Sequence, residues 1–194
     1  MPLVVPEQHV TYRFIGIDPG LSNLGVAIFD IDYYTDRILR IEAFTLVNDK
    51  LPNHTGFDVD TVTERTVKLY KLRDSLQNLL CHYNPSHVVS EAPFYNRFMP
   101  MAFGALNEVV AIVHNAVLCW NPNVGFHTVP PLTVKKLVNT KAVKNDTVKG
   151  KELVKLAISS IPEIMSVLVT PIDTLSEHAI DAVAVGYSMF SLKG

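Results

Sequence analysis

The stretch YRFIGIDPGLSNLGVAIFD, residues 12–30, decides the class of fold. It contains two apolar runs of β-prone residues, FIGI and VAIF, separated by Pro-Gly and Ser-Asn pairs that favour turns. A third run of the same character lies within residues 36–47. Three strands joined by such short links predict an antiparallel meander at the start of the chain.

Helices and short strands alternate after the meander. Residues 87–92 and 124–129 are short β-prone runs, whereas longer segments place apolar residues at helical spacing. Loops are expected over residues 51–60 and 140–146, and Asp60 or Thr61 would cap the first helix. The order βββ-α-β-α-β-α-α predicts an α/β fold, a mixed five-stranded sheet with an antiparallel meander, then parallel strands, and helices on both faces. The predicted helices of this order cover residues 61–83, 101–120, 147–160 and 176–191, and residues 132–138 are compatible with a further short helix.

Length and composition fit one globular domain over residues 1–194, with residues 1–11 as a flexible N-terminus. No unbroken apolar run reaches the roughly 18 residues of a membrane span, and the N-terminus lacks the features of a secretion signal. We therefore expect a cytoplasmic protein, in a bacterium or a phage-infected host, without a membrane partner. The two cysteines, Cys81 and Cys119, lie in predicted helices and are expected to be buried thiols.

Charge is distributed unevenly along the chain, although the net charge is only −2. Residues 1–130 contain 9 lysines and arginines against 13 acidic residues, whereas residues 131–155 contain 7 lysines against 2 acidic residues. This basic stretch predicts either a phosphate-binding surface or the solvated face of a helix.

Carboxylates stand at three places where the chain otherwise prefers apolar residues. Asp18 ends the run FIGI, Glu91 follows HVVS at the end of the fourth strand, and Asp181 lies in the apolar last helix. Buried carboxylates are costly unless they are paired, hydrogen-bonded or bound to a metal ion. His178 lies three residues before Asp181, so both side chains project from one face of that helix. Each residue alone also fits a turn, a cap or the surface, but together they predict an oxygen-rich site for Mg²⁺ or Mn²⁺.

Four segments resemble, in the same order, the motifs of the RuvC-like Holliday-junction resolvases, which have the RNase H-like fold of the retroviral-integrase superfamily. These segments are IGIDPGLSNLGVAIFD (15–30), SEAPFYNR (90–97), PPLTVKKLV (130–138) and HAIDAVAVG (178–186). The loop at residues 139–154 and the length of residues 51–61 depart from the family pattern. These departures favour a diverged relative of phage or viral origin.

The resemblance implies a chemistry as well as a fold. A crossover junction endodeoxyribonuclease of this kind acts in DNA recombination and repair, and uses two Mg²⁺ or Mn²⁺ ions to leave a 5′-phosphate and a 3′-hydroxyl. By this resemblance Asp18, Glu91, His178 and Asp181 are the expected metal ligands and catalytic residues. The family forms homodimers through the helix after the fourth strand, here residues 101–120, although burial inside one fold would explain its apolar character equally well.

Residues expected to contact DNA follow Glu91 or lie in the basic stretch. Phe94 would stack on a splayed base, unless it anchors its loop in the core. The lysines would neutralise phosphates, so that binding would weaken as salt is added. The expected set comprises Phe94, Tyr95, Arg97, Lys135, Lys136, Lys141, Lys144, Lys149 and Lys151.

The sequence also fits three other functions. A different nuclease of the same fold would use the same acids on flaps, other branched DNA or RNA–DNA hybrids. A non-catalytic nucleic-acid-binding factor would keep the fold without the chemistry. An actin-like kinase also opens on an Asp-x-Gly turn, but it needs a second phosphate-binding loop and normally a longer chain.

Overall fold

The first three strands form the predicted meander. The computed structural model describes residues 10–53, 62–95, 97–98, 100–143 and 152–193. Strand β1 (Thr11–Asp18) pairs antiparallel with β2 (Asn23–Asp32), and β2 pairs antiparallel with β3 (Ile38–Val47). Of the N-terminal segment expected to be flexible, residues 1–9 lie outside the described residues, and Thr11 already belongs to β1.

Two parallel strands extend the sheet on the other side of β1. Strand β4 (His87–Glu91) pairs parallel with β1, and β5 (Gly125–Val129) pairs parallel with β4. The strand order is therefore β3-β2-β1-β4-β5. This arrangement confirms the predicted mixed five-stranded sheet and places β1 at its centre.

Helices cover both faces of the sheet, as predicted. Alternate residues of a strand point to opposite faces, so Ile15, Ile17 and Val26 lie in one apolar cluster, whereas Phe14 and Phe29 lie in the other. The first cluster also contains residues of α1 and α2, and the second contains residues of α3, α5, α6 and α7. The helices are α1 (Glu64–Tyr83), α2 (Pro100–Trp120), α3 (Pro131–Leu137), α4 (Thr140–Val143), α5 (Glu152–Ser159), α6 (Pro162–Met165) and α7 (Glu177–Lys193).

The last helix packs directly on the central strand. A β-carbon added to Gly16 of β1 would lie 2.6 Å from the carbonyl oxygen of Ala182 and 2.7 Å from the nitrogen of Gly186, both in α7. The ring of Phe29 fills the space where Gly186 would carry a side chain. Glycines on both elements therefore allow a backbone-to-backbone approach, which brings α7 close to the end of β1.

Several local predictions are wrong. The first helix is capped by Thr63, whose hydroxyl accepts from the Thr66 amide, rather than by Asp60 or Thr61, which lie outside the described residues. The segment 140–146, expected to be a loop, begins with the one-turn helix α4. Cys81 and Cys119 are exposed rather than buried, because both lie on the outer faces of their helices.

Helix α2 is unusually apolar for an outer helix. Only Val109, Val113, Ala116 and Val117 of its residues are buried. By length and hydropathy alone it could cross a membrane, and 22% of its most apolar 18-residue window is buried. Burial inside this fold therefore does not explain its apolar character.

Candidate functional site

Two of the predicted acids lie side by side at the centre of the sheet. In the parallel pair β1–β4, Ile17 is opposite Ser90, so the next residues, Asp18 and Glu91, end neighbouring strands at the same edge. The carboxyl ends of parallel strands are the usual location of sites in open α/β sheets. The side chain of Asp18 is only 13% exposed.

The other two predicted residues reach this edge from α7. Ser176 caps the helix, and its hydroxyl accepts from the Ala179 amide at 3.1 Å. His178 Nδ1 then shares a hydrogen bond of 2.8 Å with Asp18 Oδ2. Asp181, one turn further along α7, lines the same pocket as Glu91. The structure thus brings together all four residues that the sequence predicted as one site.

Glu91 shows the electrostatic cost of this grouping. The pKa of its carboxyl is raised to about 7, first by burial and then by the nearby Asp18 and Asp181 carboxylates, whereas the Lys135 ammonium acts in the opposite direction. Burial and like charges both disfavour the ionised form. A cation at this position would remove that penalty, as bound divalent ions do for clustered carboxylates.

The donor atoms fit a hard divalent ion in their chemistry. Carboxylate oxygens with one imidazole nitrogen are ligands that suit Mg²⁺ or Mn²⁺, whereas structural zinc is usually held by thiolates. Among the described residues, no three acidic, histidine or cysteine side chains already have the mutual spacing of a metal-binding group. Instead, His178 is hydrogen-bonded to Asp18, and Glu177 Oε1 lies 3.7 Å from His178 Nε2.

An open pocket of about 290 Å³ adjoins the carboxylates. Glu91, Asp181, Phe94 and Lys135 lie on its wall, beside apolar residues of α3, α5 and α7. Phe94 is 51% exposed, so it is not a core residue that anchors the loop. The pocket therefore combines acidic groups with an accessible aromatic ring and a lysine.

The loop after Glu91 presents further aromatic surface. Tyr95 is exposed and packs edge-on against Phe103, with ring centroids 5.7 Å apart. The Arg97 guanidinium lies over the ring of Phe98, 4.6 Å from its centroid, and that ring is 77% exposed. Phe98 was not among the residues predicted to contact DNA, although the alternation of aromatic and basic residues in FYNRF was a signal for it.

The predicted DNA-binding lysines divide into three groups. Lys135 is exposed and lines the pocket beside Glu91. Lys136 and Lys141 are exposed on α3 and α4. Lys144, Lys149 and Lys151 lie outside the described residues.

No family model matches the sequence. The structure is similar to T. thermophilus RuvC in complex with a Holliday junction substrate, with a TM-score of 0.60 and 18% identity over 93% of this chain and 95% of that one. It is also similar to the yeast mitochondrial Holliday junction resolvase Ydc2, with a TM-score of 0.61 and 10% identity over 95% of this chain and 82% of that one. The chain has a RuvC-like fold. The predicted resemblance is thus confirmed at the level of the fold.

Two hydroxyl residues that meet at the start of α7, Ser176 and Thr45, were not predicted from the sequence to support the site of this RuvC-like fold. Ser176 caps α7, and its Oγ lies 2.5 Å from Thr45 Oγ1 at the end of β3. A serine directly before Glu-His at the start of an apolar helix is a common N-cap pattern, so Ser176 could have been found. Thr45 gives no such signal, because its partner lies 131 residues away in the sequence.

Proposed function

We propose that this protein is a metal-dependent endonuclease that resolves four-way DNA junctions by paired symmetric nicks. The observation that supports this most is the convergence of Asp18, Glu91, Asp181 and His178 at one edge of the sheet. A partly buried carboxyl with a pKa of about 7 beside two other carboxylates is typical of a functional site rather than of a structural ion pair.

The surroundings of the acids favour a nucleic-acid substrate. Phe94 and Lys135 line the pocket with Glu91 and Asp181, so a base and a phosphate would both find a partner within one site. Aromatic rings stack on bases without regard to sequence, and lysines neutralise phosphates. Lys136 and Lys141 continue the positive surface along α3 and α4.

Four-way junctions are the preferred substrate class in this proposal. Two solved structures with the same fold are resolvases, and one of them was determined with a Holliday junction. A substrate with two-fold symmetry is cut symmetrically by an enzyme that has two-fold symmetry itself. We therefore include a homodimer in the proposal, with DNA recombination or repair in the cytoplasm as its setting.

In this mechanism Asp18, Glu91, Asp181 and His178 would hold Mg²⁺ or Mn²⁺. The chemistry that a bound ion pair supplies is activation of a water molecule and stabilisation of charge on the leaving 3′-oxygen. Asp18 ends β1 beside Glu91 and is hydrogen-bonded to His178, so it would be the central residue of this ligand set. Phe94 would hold a splayed base at the pocket, and Lys135 would bind the adjacent phosphate. Water would form the new bond to phosphorus as the bond to the 3′-oxygen breaks, which would leave a 5′-phosphate and a 3′-hydroxyl.

The test is cleavage of a synthetic mobile four-way junction with Mg²⁺ or Mn²⁺. Asp18→Asn and Asp181→Asn should each lower the rate by at least about a hundredfold while junction binding persists. Asp49→Asn is the matched control, because its side chain is 81% exposed beside Lys68 and lies outside the site. It should cleave like the wild type.

The same assay separates the other functions. Cleavage of flaps or RNA–DNA hybrids without junction cleavage would replace the resolvase by another nuclease of this fold. Inactivity of the wild type on every substrate with both metals would reject the enzyme and leave a non-catalytic binding factor.

A further inference from the structure

Three residues on neighbouring strands form a row across the sheet, and this row faces the first turn of α7. In the strand registers, Asp18 of β1 is opposite Gly25 of β2, and Gly25 is opposite Thr45 of β3. These three residues therefore lie in line across three strands, at the edge where Asp18 meets His178.

Each residue of the row contacts the start of α7. Thr45 Oγ1 shares a hydrogen bond of 2.5 Å with Ser176 Oγ, the N-cap hydroxyl. The backbone of Gly25 lies against the carbonyl of His178, so closely that an added β-carbon would be 2.6 Å from the carbonyl carbon. Asp18 Oδ2 holds the imidazole of His178 at 2.8 Å. The helix start is therefore held at the N-cap, at the backbone and at the side chain of His178.

We propose that Gly25 and Thr45 are positioning residues, which set where His178 and the first turn of α7 stand relative to Asp18. This inference rests on the proposed function, in which His178 and Asp18 belong to one catalytic site. Neither Gly25 nor Thr45 has an ionisable group, and both act through other residues.

The two residues act in different ways. Gly25 sets the distance by having no side chain, because a β-carbon there would also lie 3.1 Å from Asp18 Cβ and would push helix and strand apart. Thr45 sets the angle at which the helix begins, because its hydroxyl bonds the same Ser176 oxygen that accepts from the Ala179 amide. A displacement of about 1 Å in a catalytic group can lower a rate about a hundredfold.

Thr45→Val gives the cleanest test, since valine keeps the shape of threonine and removes the hydroxyl. The first readout is the ¹⁵N spectrum of the histidine rings in the metal-free protein, in which His178→Gln identifies the His178 signals. Thr45→Val and Gly25→Ala should both shift the Nδ1 signal of His178, whereas Thr45→Ser should restore it. Thr66→Val is the matched control, because it removes a threonine hydroxyl that bonds the N-cap hydroxyl of Thr63 at the start of α1, and the buried residues of α1 lie in the other apolar cluster.

The second readout is junction cleavage under saturating metal. Thr45→Val should lower kcat about tenfold and Gly25→Ala about a hundredfold, with the junction Kd changed less than about twofold. Thr45→Ser and Thr66→Val should cleave like the wild type.

The failure of this inference can be told apart from the failure of the proposed function. A wild-type protein that cleaves nothing, with a His178 signal that depends on Thr45, would reject the nuclease and keep the positioning role. An active wild type whose His178 signal and kcat are unchanged by Thr45→Val and Gly25→Ala would overturn the positioning role. Because Thr45→Val changes no packing volume, poor folding of Gly25→Ala would leave this test intact.

Discussion

At the scale of single residues, the Glu91 carboxyl has opposite effects on stability and on the proposed chemistry. Its ionised form destabilises the metal-free fold, whereas metal binding needs that form. This carboxyl ends a strand beside two other carboxylates, and its pKa is raised to about 7 by burial and by their charge. Because the pKa in the unfolded chain is near 4.5, the folded protein binds the proton more tightly than the unfolded chain does. Stability is therefore lost as pH rises from about 4.5 through about 7.

This sign predicts that Glu91→Gln stabilises the metal-free protein at high pH only. The amide resembles the protonated carboxyl, so the gain should be near zero at pH 4 and on the order of 2 kcal/mol at pH 8. Thermal unfolding across that pH range measures it, with the exposed Glu152→Gln as a control. Added Mn²⁺ should raise the melting temperature of the wild type more than that of Glu91→Gln. A gain that is the same at both pH values would contradict the prediction.

Single residues also show what a sequence can and cannot specify. The grouping of Asp18, Glu91 and Asp181 was predictable, because carboxylates in or at the ends of apolar runs oppose the local preference for burial, and His178 followed from its spacing of three residues before Asp181. The exposure of Cys81 and Cys119 was not, because each further residue turns about 100° around a helix, so that Cys81 already lies off the face that buries Leu79 and Leu80. Thr45 became visible only in the structure, since the register of β3 determines its contact with Ser176.

At the scale of elements, the close approach of α7 to β1 decides whether the site can form. The contact of Gly16 with Ala182 and Gly186 leaves no room for a side chain, whereas a β-carbon on Gly104 of α2 would meet no atom within 4 Å. Gly16→Ala should therefore lower the free energy of unfolding by about 1–3 kcal/mol through overpacking. Gly104→Ala should raise it by up to about 1 kcal/mol, because alanine favours the helix.

Urea unfolding of the two variants at one protein concentration checks these opposite signs. The wild type provides the reference, and equal slopes against urea would show that both variants unfold in the same way. If Gly16→Ala had the same free energy of unfolding as the wild type, α7 would be able to move away from β1 without loss of stability, which would contradict the prediction.

The loop after β4 gives a second prediction at this scale. Phe94 is half exposed beside Glu91, so Phe94→Ala should weaken junction binding by about 1–3 kcal/mol, while Phe94→Trp should retain it. The fluorescence of 2-aminopurine at the branch point reports the splayed base directly. Tyr34→Ala is the control, because Tyr34 is 75% exposed and follows the opposite end of β2 from Gly25. Equal fluorescence with wild type and Phe94→Ala would remove Phe94 from junction recognition.

The order of the elements was predictable, and their fine structure was not. The meander and the parallel strands followed from hydrophobic periodicity and from turn residues between apolar runs. The short helices α4 and α6 are four residues long, too short for any periodic pattern. The bridge between Ile41 and Leu168 joins residues far apart in the sequence, and only the packing of the second apolar cluster brings them together.

At the scale of the whole molecule, α2 is the feature that the isolated chain leaves unexplained. Its inner residues cover the sheet, while Met101 is 78% and Leu118 is 46% exposed on the outer side. A large exposed apolar surface is typical of an interaction site. A symmetric nuclease needs such a surface on each copy, so the pairing of α2 with α2 would serve the proposed junction cleavage.

This interpretation predicts that the protein is a dimer which Ala111→Arg dissociates. Ala111 is exposed near the middle of α2, and a buried unpaired charge in an interface costs several kcal/mol. Sedimentation equilibrium should give twice the chain mass of 21.6 kDa for the wild type and a single chain mass for the variant. Val169→Arg, which places the same charge on another exposed apolar residue, should remain dimeric. The monomeric variant should nick one junction strand without the paired second nick, because each site would then act alone. A wild type that sediments as a monomer would leave α2 to another partner and would remove symmetry from the proposed mechanism.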